Sequence, residues 1–378
     1  MVATTWSGID NDGRSFNPTR LTLARERSGL TKQSLADQCQ VSRRTVSSWE
    51  AGEVENPPVE IIAKVVGFPE SFFYADDPVR IPEEGVTFRA LSSLLARQVD
   101  RVLASASLAI EFSRWMDQHF TTPSADLPDL TESRGLEPAI AAESVRSMWE
   151  INQLPIKNLL ALLEKRGVRV FSLPVSEREV DAFAWWYNNR PFIFLDTGRS
   201  SERMRFDLAH ELGHLLLHRQ SRLRSRLVEQ QAHDFASNFL IPADALYAQV
   251  TGQLRFDDIF KLKRYWRVSA VAMLQRLWHL RIISEWHYRT WIIELSKRGY
   301  RTSEPDGIHP ETSRLFRQLF DLARQDGWSI SRMAAALRIP VAEIDSMVFG
   351  LAIAPAPPDT PAARASSEAE FGRLYLAK

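Results

Sequence analysis

The chain has 378 residues, 44% hydrophobic and 25% charged, with 47 Lys and Arg against 47 Asp and Glu. This composition excludes a wholly disordered or collagen-like chain, and zero net charge excludes a globally basic nucleic-acid binder while leaving room for a local basic patch. The single cysteine, Cys39, excludes an internal disulfide framework and fits a reducing cytoplasm, and the absence of both a long apolar run and a leader-like start predicts neither membrane span nor secretory signal.

Residues 1–16 are polar and read as a flexible arm. Residues 17–76 are dense in short helical signals. Pro78, Pro82 and Gly85 then interrupt any helix, so 77–91 reads as a linker. In a connector over 92–153, Ser92 or Ser93 is expected to cap a long helix reaching about Phe120. A Pro/Asp-rich loop and a helix over 139–151 follow. From 154 to 250 the pattern changes. It predicts a helix over 155–166 ended by Gly167, a strand over 168–173, and two β-rich runs, 181–187 and 191–196, separated by Asn188, Asn189 and Arg190 as a hairpin. Helices dominate from 200 to about 297, and 251–353 reads as a helical C-terminal region. The Pro/Ala/Ser/Glu stretch 354–378 reads as a flexible tail. The predicted class is mainly α with a small β-sheet (α+β), in two or three domains at about 150 residues each.

Within 17–76, Thr31 suits the N-cap of one short helix and Ser42 that of a second, which Gly52 ends. Gln40 and Val41 make the turn between them. Leu35, Ala36, Val46 and Trp49 supply the packing, which is the arithmetic of a helix-turn-helix. Residues 14–52 hold seven basic against three acidic residues, a net +4 that a phosphate backbone can exploit. The stretch from Gly29 to Gly52 also aligns without gaps on that from Gly327 to Gly350, at a constant offset of 298. A second helix-turn-helix-like module over 312–350 is one reading; the shared spacing of any two short helix pairs is the other. The second copy carries Glu343 and Asp345 where the first carries Thr45 and Ser47, and its second helix has no Lys or Arg, so it is expected to contact protein and not DNA.

The order Leu-Thr-Lys-Gln-Ser-Leu-Ala, then Val-Ser-Arg-Arg-Thr-Val-Ser-Ser-Trp-Glu-Ala-Gly, resembles the Xre/Cro-type helix-turn-helix family. The resemblance implies a five-helix-type DNA-binding domain, with Arg43, Arg44, Thr45, Ser47 and Ser48 facing the major groove and Lys32 and Gln33 near the phosphate backbone. It also implies a double-stranded operator and, from paired half-sites, a homodimer.

The strongest chemical signal is His210-Glu211-Leu212-Gly213-His214. Residues four apart share a helix face, so both imidazoles can reach one ion, while Glu211 lies rotated from them and can address a water. A catalytic zinc usually takes three protein ligands and leaves one position open. Glu229 lies on the apolar stripe of Ala232, Phe235, Ala236 and Phe239, where a carboxylate is costly unless paired or metal-bound. It is therefore preferred as third ligand over Asp207 or His233. Gly213 weakens its helix, which suggests that something packs closely there.

This block, with Glu-x-x-Ala-x-x-Phe-Ala-x-x-Phe-Leu-Ile-Pro after it, resembles the ImmA/IrrE family of zincin-like metallopeptidases. The resemblance implies His210, His214 and Glu229 as ligands of zinc (manganese being compatible) and Glu211 as general base. His233, where relatives often carry Asn, and Asp234 are candidates to support a ligand imidazole. Tyr187 and His218 are candidates for the oxyanion. Phe192-Ile193-Phe194 offers either an edge to an extended peptide or a core strand. The implied protein is a cytoplasmic regulator whose peptidase cuts a repressor- or antitoxin-like partner. The alternative is a transcription factor or antitoxin that uses the same domain only as a ligand or metal sensor. Elsewhere, the basic run from Lys261 to Arg267 reads as a solvated helix face in preference to a second nucleic-acid surface.

Overall fold

The computed structural model describes residues 15–82, 95–130, 136–173, 180–219, 225–301, 303–352 and 374–376. Most of the expected arm and linker, with Ser92 and Ser93, lies outside them.

The N-terminal module comprises α1 (Pro18–Arg27), α2 (Lys32–Gln38), α3 (Arg43–Glu50), α4 (Val59–Val66) and a 3-10 turn, Glu70–Tyr74, in place of a fifth helix. Its helix starts are the expected ones. Thr31 Oγ1 accepts from Ser34 N at 3.0 Å and Ser42 Oγ from Thr45 N at 3.1 Å, each satisfying an orphan amide of the first turn. Gln40 takes a left-handed φ of 56° between α2 and α3. Leu35, Ala36, Val46 and Trp49 are buried. Asn17 closes the module: its backbone N–H donates to Phe73 O at 2.7 Å and its side chain to Ala75 O at 2.9 Å.

The long α5 (Ala96–His119) packs along α1, where Arg20 meets Glu111 at 2.9 Å. It leads into β1 (Phe120–Thr121), α6 (Pro138–Met148), α7 (Leu159–Lys165), β2 (Arg169–Ser172), β3 (Ala182–Tyr187) and β4 (Arg190–Leu195). β4 is the central strand of a three-stranded sheet, parallel to β2 and antiparallel to β3. The hairpin turn is two residues, Asn188 and Asn189, with φ of 46° and 59°; Arg190 belongs to the strand. Two positive φ values in a two-residue turn match the strand twist, and Asn tolerates them. Because β4 is central and both its sides are already paired, Phe192–Phe194 form a core strand, and the alternative reading of them as an edge is corrected.

The two faces of the sheet differ. Phe171, Phe183, Phe192 and Phe194 stack on one, and Phe171 lies against Phe112 of α5. On the other, Ala182 and Ala184 are small and leave room for α8 (Ser201–Leu217), whose Leu215 O accepts from Trp186 Nε1 at 3.1 Å. α9 (Arg226–Leu240) crosses α8 closely. A Cβ at Gly213 would stand 3.1 Å from Phe235 Cδ1 and 3.3 Å from both Cα and O of Ala232. Buried arginines hold the far end of α9: Arg146 donates to Phe239 O, and Arg276 to Ile241 O at 3.0 Å and Asn238 Oδ1 at 2.7 Å.

Four helices follow, α10 (Ala243–Gln249), α11 (Asp258–Trp266), α12 (Ala270–His279) and α13 (Glu285–Lys297). The basic run is not a uniformly solvated face. Lys261 is exposed, but Lys263 is fully buried and paired with Glu304 at 3.0 Å, its ammonium also donating to Pro305 O at 3.1 Å.

The last helices, α14 (Arg314–Gln325), α15 (Ile330–Ala336) and α16 (Val341–Val348), repeat the backbone of α1–α3. Gly327, Arg338 and Gly350 have φ of 77°, 56° and 70°, against 68°, 56° and 74° at Gly29, Gln40 and Gly52. Ser329 caps α15 as Thr31 caps α2. This unit packs on the rest of the chain. Glu343 pairs with Arg27 of the first module at 2.8 Å, and Arg338 donates to Ser71 O at 3.2 Å. Two buried carboxylates are exchanged with α7: Glu164 accepts from Arg314 N at 2.9 Å and Leu315 N at 3.1 Å, while Glu311 accepts from Leu160 N at 2.9 Å. Within the segment expected to be a flexible tail, β5 (Tyr375–Leu376) pairs antiparallel with β1.

Candidate metal centre and nucleic-acid interface

α8 places His210 and His214 one turn apart, and the close crossing at Gly213 and Ala232 brings Glu229, in the first turn of α9, up to them. His210 Nε2 and His214 Nε2 lie 3.1 Å apart. Glu229 Oε2 is 3.5 Å from His210 Nε2, and its Oε1 is 3.6 Å from His214 Nε2. All three ligand atoms lie within 4.8 Å of one another. Tetrahedral zinc with bonds of about 2.0–2.2 Å separates its ligand atoms by about 3.3–3.6 Å, so this donor set fits such an ion. Burial, then the neighbouring His210 and His218, hold the His214 imidazole well below the ordinary histidine range, which keeps it neutral as a ligand must be.

The competing ligands are placed elsewhere. Asp207 is held by Arg203 at 3.0 Å, and burial pushes its carboxyl up to about 7. His233 lays its ring against Phe206, with centroids 4.9 Å apart, and Asp234 accepts from Gln230 at 2.9 Å. The side chain beside His214 Nδ1 is His218, at 3.1 Å, which in turn reaches Gln231 Oε1 at 3.0 Å. The sequence signalled this only through the i, i+4, i+8 spacing of the three histidines. Glu211 is 5% exposed on α8. Tyr187 alternates with Trp186 along β3. Since Trp186 faces α8, Tyr187 belongs to the opposite face and is a poor oxyanion donor.

On α3, Arg43 and Arg44 are exposed and make no ion pair among the described residues. The other expected DNA contacts already have partners. Thr45 Oγ1 lies 2.8 Å from Ser42 Oγ, and Ser48 Oγ donates to Glu53 at 2.6 Å. Gln33 donates to Asp37 at 2.7 Å. Lys32 pairs with Glu50 at 3.0 Å, and the same carboxylate holds Arg25 at 2.5 Å. Ser47 is half-buried. With Arg20 and Arg27 also paired, the unpaired positive charge of the N-terminal module narrows, among its described residues, to the start of α3.

A capped helix-turn-helix and a two-histidine, one-carboxylate cluster on crossing helices define the class: a DNA-binding module joined to a zincin-like domain. Comparison with protein families agrees. Residues 21–68 match the helix-turn-helix family, and residues 163–278 match the Peptidase M78 family, described as the IrrE N-terminal-like domain. The chain therefore carries an Xre-type helix-turn-helix domain and an IrrE-like peptidase-family domain in one polypeptide. No curated protein gives a significant match to it. No helix of the described residues is long and apolar enough to cross a membrane.

Proposed function

We propose that this chain is a cytoplasmic, DNA-binding transcriptional regulator whose IrrE-like domain is a zinc-dependent endopeptidase. The observation that carries this reading is the convergence of His210, His214 and Glu229. Three protein ligands leave one position of a tetrahedral ion for water or a peptide carbonyl. Zinc bound there would supply Lewis acidity and acidify a water toward about neutral pH; manganese suits the same donors. The Glu211 carboxylate takes the proton of the attacking water and returns it to the leaving amine.

The substrate is a repressor- or antitoxin-like protein, whose cleavage releases stress, mobile-element or defence genes. Arg43 and Arg44 read or clamp the operator, with a homodimer spanning two half-sites. The test is incubation of the full chain with proteins encoded beside it, with and without chelator, followed by mass spectrometry of fragments. Chelator-sensitive fragments that disappear with Glu211→Gln support the proposal. Identical fragment patterns from wild type and Glu211→Gln overturn the peptidase assignment and leave the sensor reading.

A further inference from the structure

We propose that His218 and Gln231 are positioning residues for this metal centre: the chain His214–His218–Gln231 fixes the His214 tautomer whose Nε2 lone pair faces the ion. The inference rests on the metal reading above and adds to it a defined proton arrangement.

The argument is one of counting donors. A neutral imidazole carries one proton, on one of its two nitrogens. His214 Nε2 faces His210 Nε2 at 3.1 Å and Glu229 at 3.6 Å, so a metal-ligating Nε2 must be bare and the proton must sit on Nδ1. His214 Nδ1 lies 3.1 Å from His218 Nδ1, which must then accept. His218 therefore carries its own proton on Nε2, 3.0 Å from Gln231 Oε1, and the amide oxygen accepts it. Every link has one donor and one acceptor, and no conflict remains. The opposite tautomer of His214 would aim a proton at His210 and remove a ligand.

The same geometry excludes His218 as a further ligand or an oxyanion donor, because both its ring nitrogens are engaged. Metal-bound imidazoles commonly donate to a carboxylate, carbonyl or water. Here a neutral imidazole and an amide do this work, so His214 is oriented without added negative charge. α8 supplies His214 and His218, and α9 supplies Gln231 along with Glu229, so the crossing that assembles the ligands also assembles their support.

The experiment compares the full-length wild type with His218→Phe, His218→Gln and Gln231→Leu. It measures zinc affinity by chelator competition and tautomers by the 15N spectrum of the imidazoles. His218→Phe keeps a ring beside His214 but no acceptor, and should weaken zinc binding by about 10- to 100-fold. His218→Gln restores an acceptor and a donor and should stay within about threefold of wild type. Gln231→Leu, at a half-buried position, should weaken binding in the same direction, which covers the case in which His218→Phe does not fold. His214 should be protonated at Nδ1 in wild type and shift toward Nε2 in His218→Phe. Equal zinc affinity in wild type, His218→Phe and Gln231→Leu overturns the relay alone. A wild type that takes up no zinc overturns the metal reading and the relay with it.

Discussion

Gly213→Ala tests whether the crossing of α8 and α9 sets the metal site. The added methyl would meet Phe235 Cδ1 at 3.1 Å and Ala232 Cα and O at 3.3 Å. Ordinary carbon contacts sit at about 3.5–4.0 Å, so to reach even the near end of that range the neighbours must retreat by about 0.2–0.4 Å. The Phe235 ring can swing, but the Ala232 backbone moves only with its helix. Glu229 lies three residues upstream of Ala232 on α9, so its carboxylate moves too. Ligand distances in metal sites tolerate about 0.2 Å, so zinc affinity should fall. Overpacking costs about 1–3 kcal/mol, against about 1 kcal/mol gained when Ala replaces Gly in a helix. The net is a loss of about 0–2 kcal/mol for the metal-free chain. Thermal melts with zinc and with excess chelator give both quantities, since a ligand that binds the folded state stabilises it by mass action. The gap between the two melting temperatures should shrink in Gly213→Ala. An unchanged gap with a more stable chain, as helix propensity alone dictates, would refute the reasoning.

Further outcomes are expected. Glu211→Gln should abolish cleavage while zinc content and operator affinity stay as in wild type; residual chelator-sensitive cleavage would assign the base elsewhere. Arg43→Ala and Arg44→Ala should each weaken operator binding, and each lost phosphate contact should lower the salt dependence by about 0.9 in the log–log slope. Lys32→Ala should leave that slope unchanged and lower stability instead, because its partner is Glu50; a slope reduced as far as in Arg44→Ala would overturn that assignment. Burial pushes the Glu164 carboxyl up from 4.5 to about 7, against the hydrogen bonds from Ser313 and the α14 amides. A folded value above the unfolded one means its contribution is full below pH 4.5 and is lost as pH rises through about 7. Glu164→Gln should flatten the fall in stability across that window, as read from melting temperature against pH; an unaltered slope would mean the group is ionised throughout.

Local signals carried much of this structure. The caps at Thr31 and Ser42, the turn at Gln40 and the apolar positions of α3 depend on neighbours within a few residues. The pairing of His210 with His214 is set by helix pitch alone. Glu229 was legible because a carboxylate on an apolar stripe demands a partner, and Gly213 because its cost demands a neighbour. What sequence could not supply was pairing at a distance. Strand order put β4 in the centre, and that order depends on where β2 docks. Tyr187 fell on the wrong face because α8 covers the alanine side of the sheet. Lys32 read as a phosphate contact and Lys263 as part of a solvated face until Glu50 and Glu304 were brought beside them by tertiary packing. The group beside His214 Nδ1 turned out to be His218, since ring orientation is decided by the crossing of two helices.

Metal content bears on the central claim most directly. Wild type, His214→Ala and Glu229→Ala should be prepared in zinc- and manganese-replete medium, freed of loose ions, and analysed by mass spectrometry of the metals per chain. The account predicts one divalent ion in wild type and loss of it in both variants, with the helix-turn-helix still binding its operator. A metal-free wild type, or a Glu229→Ala chain that holds its ion as tightly as wild type, would contradict it.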